Sequence, residues 1–557
     1  MHQRAVTRPA RGTARTSATA RPRATARISA TARIRAAVGA AAVLAAVVPC
    51  LAPTAAQAAP AHFATDVQWS TETLAPGVQV RTGTVRHPGV RHTWTVTVQA
   101  PATSRLTGAR TWAEVSTRSW AGTTAQQLRD AGFEPRVESV RWPGYSDTPH
   151  GVMGYRVRVG SYAAQSDAQP TATAITSAGF HTAVAWTGYD VQQPADRENI
   201  HVAVIDPRRF QGTVEGTHDG DVAQRETTSS VAAKLHSLVA VNGGFFVTSD
   251  ADGVQGTMSA LGAYDGRLGS MAVGSRAALV LGDGGRHVRV ADLTTTVTAR
   301  AGRSSYAIQG INRVPSLVRD CGRPGATPSE LPWQDVTCRL TDDLVQFTPL
   351  FGAALPTGAG VQAVLDRSGR VVSVGARGGR VPAGGRVLQG IGTAADWLTA
   401  NARVGRRITV DETVRDSAGR RVALDRDDSV VSAAPTLVRD GRIDIDAAAE
   451  GVVDPQDLSF GYAWANSRQP RTMAGIDRRG RLILATVDGR RTGGSEGFTL
   501  YEAADFMRSL GAVQALNLDG GGSTTMALRG TLANNPSDAA GERPVGDTVQ
   551  VIPARTD

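Results

Sequence analysis

The sequence predicts an α+β chain: a large, strand-rich domain of mixed sheets preceded by a small (βαβ)2 domain. Three observations predict it. From about residue 195 onward, short apolar runs at 201–205, 277–281 and 481–485 alternate with glycine turns. Few helical patterns interrupt them, notably 394–401 and 500–509. Between 111 and 190, strand–helix–strand occurs twice, and the two helices end on the same tripeptide, Ala131-Gly132-Phe133 and Ala178-Gly179-Phe180, 47 residues apart.

Residues 1–58 carry nine arginines and no acid. An apolar run from Ala36 to Leu51 follows, then Ala56-Gln57-Ala58, a small-x-small cleavage site. This is the pattern of a secretory signal with a long basic leader, cleaved near Ala58. The apolar core is short for a membrane span, so no permanent anchor is expected. Without those arginines the chain has 51 basic against 50 acidic residues, so its formal charge of +10 does not point to nucleic acid. Residues 59–110 read as a β-rich linker or small extension, with alternation at 94–98.

Residues 111–190 read as the small domain, with a four-stranded antiparallel sheet covered by two helices on one face. The stretch Tyr155-Arg-Val-Arg-Val-Gly-Ser-Tyr162, then a polar segment and a helix ending Ala-Gly-Phe, resembles a SPOR domain. That resemblance implies ferredoxin-like topology and, in many members, peptidoglycan binding; a spacer without ligand is the alternative. Residues 195–553 form the large domain. In it, Thr499 and Glu502 read as a capping box for the helix at 500–509, which gives Glu502 a structural role.

With Cys50 removed with the signal, Cys321 and Cys338 remain, an even count for a secreted chain. A disulfide between them closes a loop holding Pro324, Pro328 and Pro332. Such a ring stabilises by roughly 3 kcal/mol. No second cysteine pair or histidine cluster nearby suggests a metal.

The chemistry concentrates in four clusters. The apolar run at 512–518 stops at Asp519, followed by Gly520, Gly521, Gly522, Ser523, Thr524 and Thr525. A carboxylate at a strand end reaches a ligand there, and the glycines let backbone N–H groups converge on an anion, with the hydroxyls adding donors. Asn242 and Gly243 end another apolar run, where an amide could orient a sugar hydroxyl or phosphate oxygen; a hairpin Asn-Gly turn is the alternative. Arg471 and Thr472 pair a guanidinium with a hydroxyl, which suits phosphate. Asp488 and Arg490 lead to Ser495, and Asp538 and Arg543 follow the glycine loop.

In order, Asn-Gly-Gly-Phe-Phe, Arg-Thr-x-Ala-Gly, Val-Asp-Gly-Arg, Ser-x-Gly-x-Thr-Leu-x-Glu, Leu-Asn-Leu-Asp-Gly-Gly-Gly-Ser-Thr-Thr-Met, Asn-x-Pro-Ser-Asp and Glu-Arg strongly resemble the phosphodiester glycosidase family over 195–553. The resemblance implies cleavage of a sugar-1-phosphate glycosidic bond. The cysteine loop and the strands between Arg339 and Leu437 interrupt the family pattern and could reshape the pocket mouth. On chemistry and resemblance together, Asp519 is the leading carboxylate, with Asp488 as partner. Arg471 with Thr472 and the Gly520–Thr524 loop hold phosphate, assisted by Arg490 or Arg543, Asn242 and Ser495 orient the sugar, and Gly243 is counted as substrate-binding beside Asn242. The expected substrate is a phosphodiester-linked glycan, N-acetylhexosamine-1-phosphate linked, in a cell-wall or extracellular setting. No cofactor is required by this chemistry. The metal requirement stays open, because a metal-assisted phosphodiesterase using Asp488, Asp519 and Asp538 around a divalent cation is one alternative. A non-catalytic glycan-binding protein is another.

Overall fold

A computed structural model describes residues 67–190 and 194–554; residues 1–58, read above as a secretory signal with Cys50 and a cleavage site, lie outside the described residues. The largest sheet runs Gln68–Ala75, Val78–Arg86, Arg197–Ile205, Leu482–Val487, Arg471–Asp477, Ala512–Asn517, Thr436–Arg439, Arg442–Ile443, with every neighbour antiparallel. Its central strands Leu482–Val487 and Arg471–Asp477 are buried at every position, so they read as continuous runs rather than alternating ones. A second sheet orders Thr531–Leu532, Met526–Leu528, Val239–Asn242, Thr548–Pro553, Gly212–Thr217. One apolar core joins the two, with Ile200, Met473 and Leu484 from the first and Val239, Val241, Met526 and Val549 from the second.

The chain passes from the first sheet to the second through the glycine loop. Ala512–Asn517 ends one sheet and Met526–Leu528 begins a strand of the other, so Asp519 and its glycines sit where both sheets open. Helix Leu500–Ser509 lies beneath the first sheet, capped as expected by reciprocal Thr499 and Glu502 bonds. The residues between Gly262 and Val422 build further sheets and a separate core, which includes the expected helix Thr393–Asn401. From that region a two-stranded hairpin, Leu317–Arg319 with Thr337–Arg339, is closed by the Cys321–Cys338 disulfide.

The small sheet orders Pro135–Arg141, Val152–Tyr162, Trp94–Thr103, His181–Trp186, all antiparallel, with helices Arg118–Asp130 and Gln165–Ser177 packed on its core. Its first strand is therefore Trp94–Thr103, inside the segment read as a linker. The stretch at 110–113 folds back on the end of that strand through a turn in which Gly108 N–H donates to Ser104 O. The other part of the supposed linker, 68–86, supplies two strands to the largest sheet. No helix among the described residues is long and apolar enough to cross a membrane.

Candidate active site

Asp519 lies on the floor of a cavity of about 660 Å³, the largest described, with Gly520, Gly521, Gly522, Arg490 and Arg543 on one side. The loop is fixed from behind. Asn242, fully buried, donates from Nδ2 to the Asp519 carbonyl at 2.8 Å and accepts at Oδ1 from Thr472 Oγ1 at 2.6 Å and Thr525 N–H at 3.0 Å. Asp519 N–H donates to Gly243 O at 3.0 Å, and Gly521 N–H to Pro470 O at 2.9 Å. A Cβ on Gly522 would collide with Arg543 and Asp538, so only glycine lets the arginine approach the loop this closely.

Burial pushes the Asp519 carboxyl up to about 6, against the lowering pull of Ser523, the Arg543 charge and the Gly520 N–H. Arg543 is held by Asp538 in a two-bond pair of 2.7 and 3.0 Å. Arg490 donates from Nε to Gln469 Oε1 at 2.6 Å, and its guanidinium lies against Gly521. Burial and the Arg543 charge together push Arg490 down from its ordinary value. Its backbone is left-handed, φ +56°, an unusual conformation for arginine. Two cations pressed together at a glycine loop are relieved by an anion between them. Beneath the loop Asp547 accepts from Gly244 N–H and Tyr264 Oη, both at 2.8 Å, and burial raises it to about 7.

Several expected site residues do not reach the cavity, which corrects their assigned roles. Arg471 is fully buried behind it: Nε donates to Phe498 O at 3.0 Å, another nitrogen to Trp464 O at 2.5 Å, and the guanidinium lies 4.7 Å from the Trp464 ring centre. Burial pushes it down to about 9, its Nε and one terminal nitrogen are spent on carbonyls, and it does not line the cavity. Asp488 is also buried, and its two oxygens accept from Asn535 N–H at 3.0 Å and Asn535 Nδ2 at 2.7 Å. It is therefore not the second carboxylate beside Asp519. Ser495 donates to the Asp488 carbonyl at 2.7 Å and accepts from Asn199 N–H at 3.1 Å, which makes it part of that loop's frame. Asn242, Gly243 and Thr472 position Asp519 from behind rather than touch a sugar. Ser523 and Thr524 are buried within the loop. Asp538 and Asp488 are engaged as described, and among the described residues no three His, Cys, Asp or Glu side chains are grouped to hold a metal ion.

Sequence reasoning missed the rest of the lining. Phe245, Phe246, Phe460, Tyr462 and Trp464 give an aromatic wall, and the disulfide hairpin gives Arg319, Asp320, Gln334 and Asp335. The Asn-Gly-Gly-Phe-Phe motif held the first signal, and the adjacency of Asp320 to Cys321 the second.

Residues 359–552 match the model of the phosphodiester glycosidase family. A Burkholderia pseudomallei protein of known structure, described as exported, superposes with a TM-score of 0.75 at 31% identity, covering 88% of this chain and 96% of that one. Residues 359–552 thus belong to the phosphodiester glycosidase family. Among curated proteins of this kind, the bovine N-acetylglucosamine-1-phosphodiester alpha-N-acetylglucosaminidase is 35% identical over 164 residues, 29% of this chain and 30% of that protein. The human protein of the same name is 38% identical over 110 residues, 20% of this chain and 21% of that one. The aligned part thus spans under a third of the length of these curated relatives. The matched stretch holds Asp519, Arg490 and Arg543, whereas Phe245, Phe246 and the disulfide hairpin precede it.

Proposed function

We propose that this chain is a secreted hydrolase that cleaves the glycosidic bond of a sugar-1-phosphodiester, N-acetylhexosamine-1-phosphate linked, in cell-wall or extracellular glycan. The observation that carries this reading is the facing of Arg490 and Arg543 with Asp519 across the glycine loop in one cavity. In such a diester the leaving group is a phosphate, stable as an anion, so departure needs charge stabilisation more than a general acid. The two arginines beside the glycine loop hold the phosphate, and the aromatic wall takes the apolar face of the sugar. Water attacks C1, the C1–O bond to phosphate breaks, and the water proton passes to Asp519, or Asp519 first adds to C1 and water then displaces it. A carboxyl near 6 is ionised at neutral pH and still able to accept a proton. No cofactor is proposed, the arginine pair supplying the positive charge; turnover unchanged by a chelator is expected.

Export through residues 1–58 and attachment of the small sheet to peptidoglycan belong to the same proposal. They are supported by the leader composition and by the resemblance of 155–180 to SPOR sequences. The test of the catalytic reading is release of free sugar and a phosphomonoester from a sugar-1-phosphodiester by the mature chain, followed by phosphorus NMR. Asp519→Asn should abolish it with an unchanged fold; release at the wild-type rate by that variant would remove Asp519 from the chemistry.

A further inference from the structure

The same cavity is also lined by a hairpin of different character. The hairpin Leu317–Arg339 turns back on itself, is locked by Cys321–Cys338, and presents Asp320, Gln334 and Asp335 to the same space as Asp519. Asp320 is 2% exposed. Its carboxylate accepts from Arg276 at 2.6 Å, Asp335 N–H at 2.8 Å and Ser259 Oγ at 3.3 Å. Arg276 is itself fixed, with Nε donating to Glu450 O at 3.0 Å. The hairpin's own cation, Arg319, is occupied by Asp335, by Asp252 at 3.5 Å and by Thr337 Oγ1 at 3.1 Å. Both guanidiniums on this side are thus matched by carboxylates. A carboxylate has about four acceptor positions, and three protein donors leave Asp320 able to accept another.

We propose that this disulfide-locked hairpin is the sugar-specificity wall of the cavity: it accepts hydrogen bonds from the hydroxyls of a neutral sugar ring and rejects a sugar bearing a carboxylate. The proposal rests on the phosphodiester reading above and deepens it. A sugar-1-phosphate is anionic at one end and rich in O–H donors at the other. The cavity holds both kinds of partner, with arginines beside the glycine loop and, on the hairpin, carboxylate acceptors whose charge is matched by Arg276 and Arg319. A uronic sugar offers Asp320 no hydroxyl donor at that position and brings its carboxylate to a side where Arg276 and Arg319 are already paired, so its charge finds no partner. The disulfide adds rigidity on the returning side of the loop, which carries Gln334 and Asp335, while Asp320 is also fixed by Arg276 and Ser259.

The test uses Asp519→Asn in the full mature chain, so that ligands are bound and not consumed, and isothermal titration with three probes: inorganic phosphate, N-acetylglucosamine-1-phosphate and glucuronic acid-1-phosphate. Phosphate should bind, the neutral sugar phosphate should bind at least about tenfold tighter, and the uronic one no tighter than phosphate. Adding Gln334→Ala, or the Cys321→Ser/Cys338→Ser pair, should erase most of the neutral sugar's advantage while leaving phosphate affinity within about twofold. Asp320→Asn is a further variant, and melting curves identify any of these that fails to fold. Retention of the full sugar advantage after the disulfide is removed, or equal binding of the two sugar phosphates, overturns the proposal. Failure of all three probes to bind overturns the phosphodiester reading itself.

Discussion

In the proposed reaction Asp519 acts through its surroundings more than through its identity. Its carboxyl, raised to about 6 chiefly by burial, must be ionised to act as nucleophile or base, so kcat/KM should fall below about pH 6. A profile flat down to pH 4.5 would contradict that assignment. Arg543→Ala removes a charge-assisted donor at the leaving phosphate and should lower kcat by about 10²–10³, read by steady-state kinetics. Arg471→Ala has a different expected outcome. It leaves the buried carbonyls of Phe498 and Trp464 without their donor and should cost roughly 3 kcal/mol or more in urea unfolding. Asp519 was legible because an apolar run ends on it and three glycines follow. Arg471 was misassigned because adjacent strand residues point to opposite faces: Thr472 faces Asn242, and Arg471 faces Trp464. The sequence shows the pair, not which member looks toward the cavity.

At the scale of elements, the site exists because two sheets end at the same place. Asn242, last residue of Val239–Asn242, ties that strand to the loop leaving Ala512–Asn517. Asn242→Ala should leave the fold intact yet lower kcat by as much as about 10², the effect of an ångström-scale shift at the carboxylate. Wild-type kcat in a folded variant would show that the tie is unnecessary. The helices at 393–401 and 500–509 were legible from periodicity and capping, as was the doubled strand–helix–strand pattern. The first strand of the small sheet was not, because pairing of Trp94–Thr103 with both Val152–Tyr162 and His181–Trp186 is a long-range choice that alternation at 94–98 does not reveal. The hairpin bearing Asp320 is similar: its cysteines announce a closed loop, but nothing local says that the loop becomes a cavity wall. Reducing that disulfide should cost about 3 kcal/mol of stability, read as a lower melting temperature.

For the whole molecule, burial of carboxyls sets the pH response. Glu450 and Asp547 are raised from 4.5 and 3.8 to about 7 in the fold. Between those limits the folded chain binds more protons than the unfolded one, so their contribution is complete at low pH and lost as pH rises through about 7. His201 and His218, lowered by burial, act in the opposite sense near their ordinary value of 6.5. With the carboxyl shifts dominant, the melting temperature should fall between pH 5.5 and 8; a rise would show that the histidines prevail. The roles proposed for the arginine pair and Asp519 have one central consequence, cleavage at carbon rather than phosphorus. The most direct measurement is digestion of the methyl phosphodiester of N-acetylglucosamine-1-phosphate in oxygen-18 water by the mature chain, with mass analysis of both products. Label on the sugar C1 hydroxyl is the expected result; label on the phosphate would contradict glycosidic cleavage.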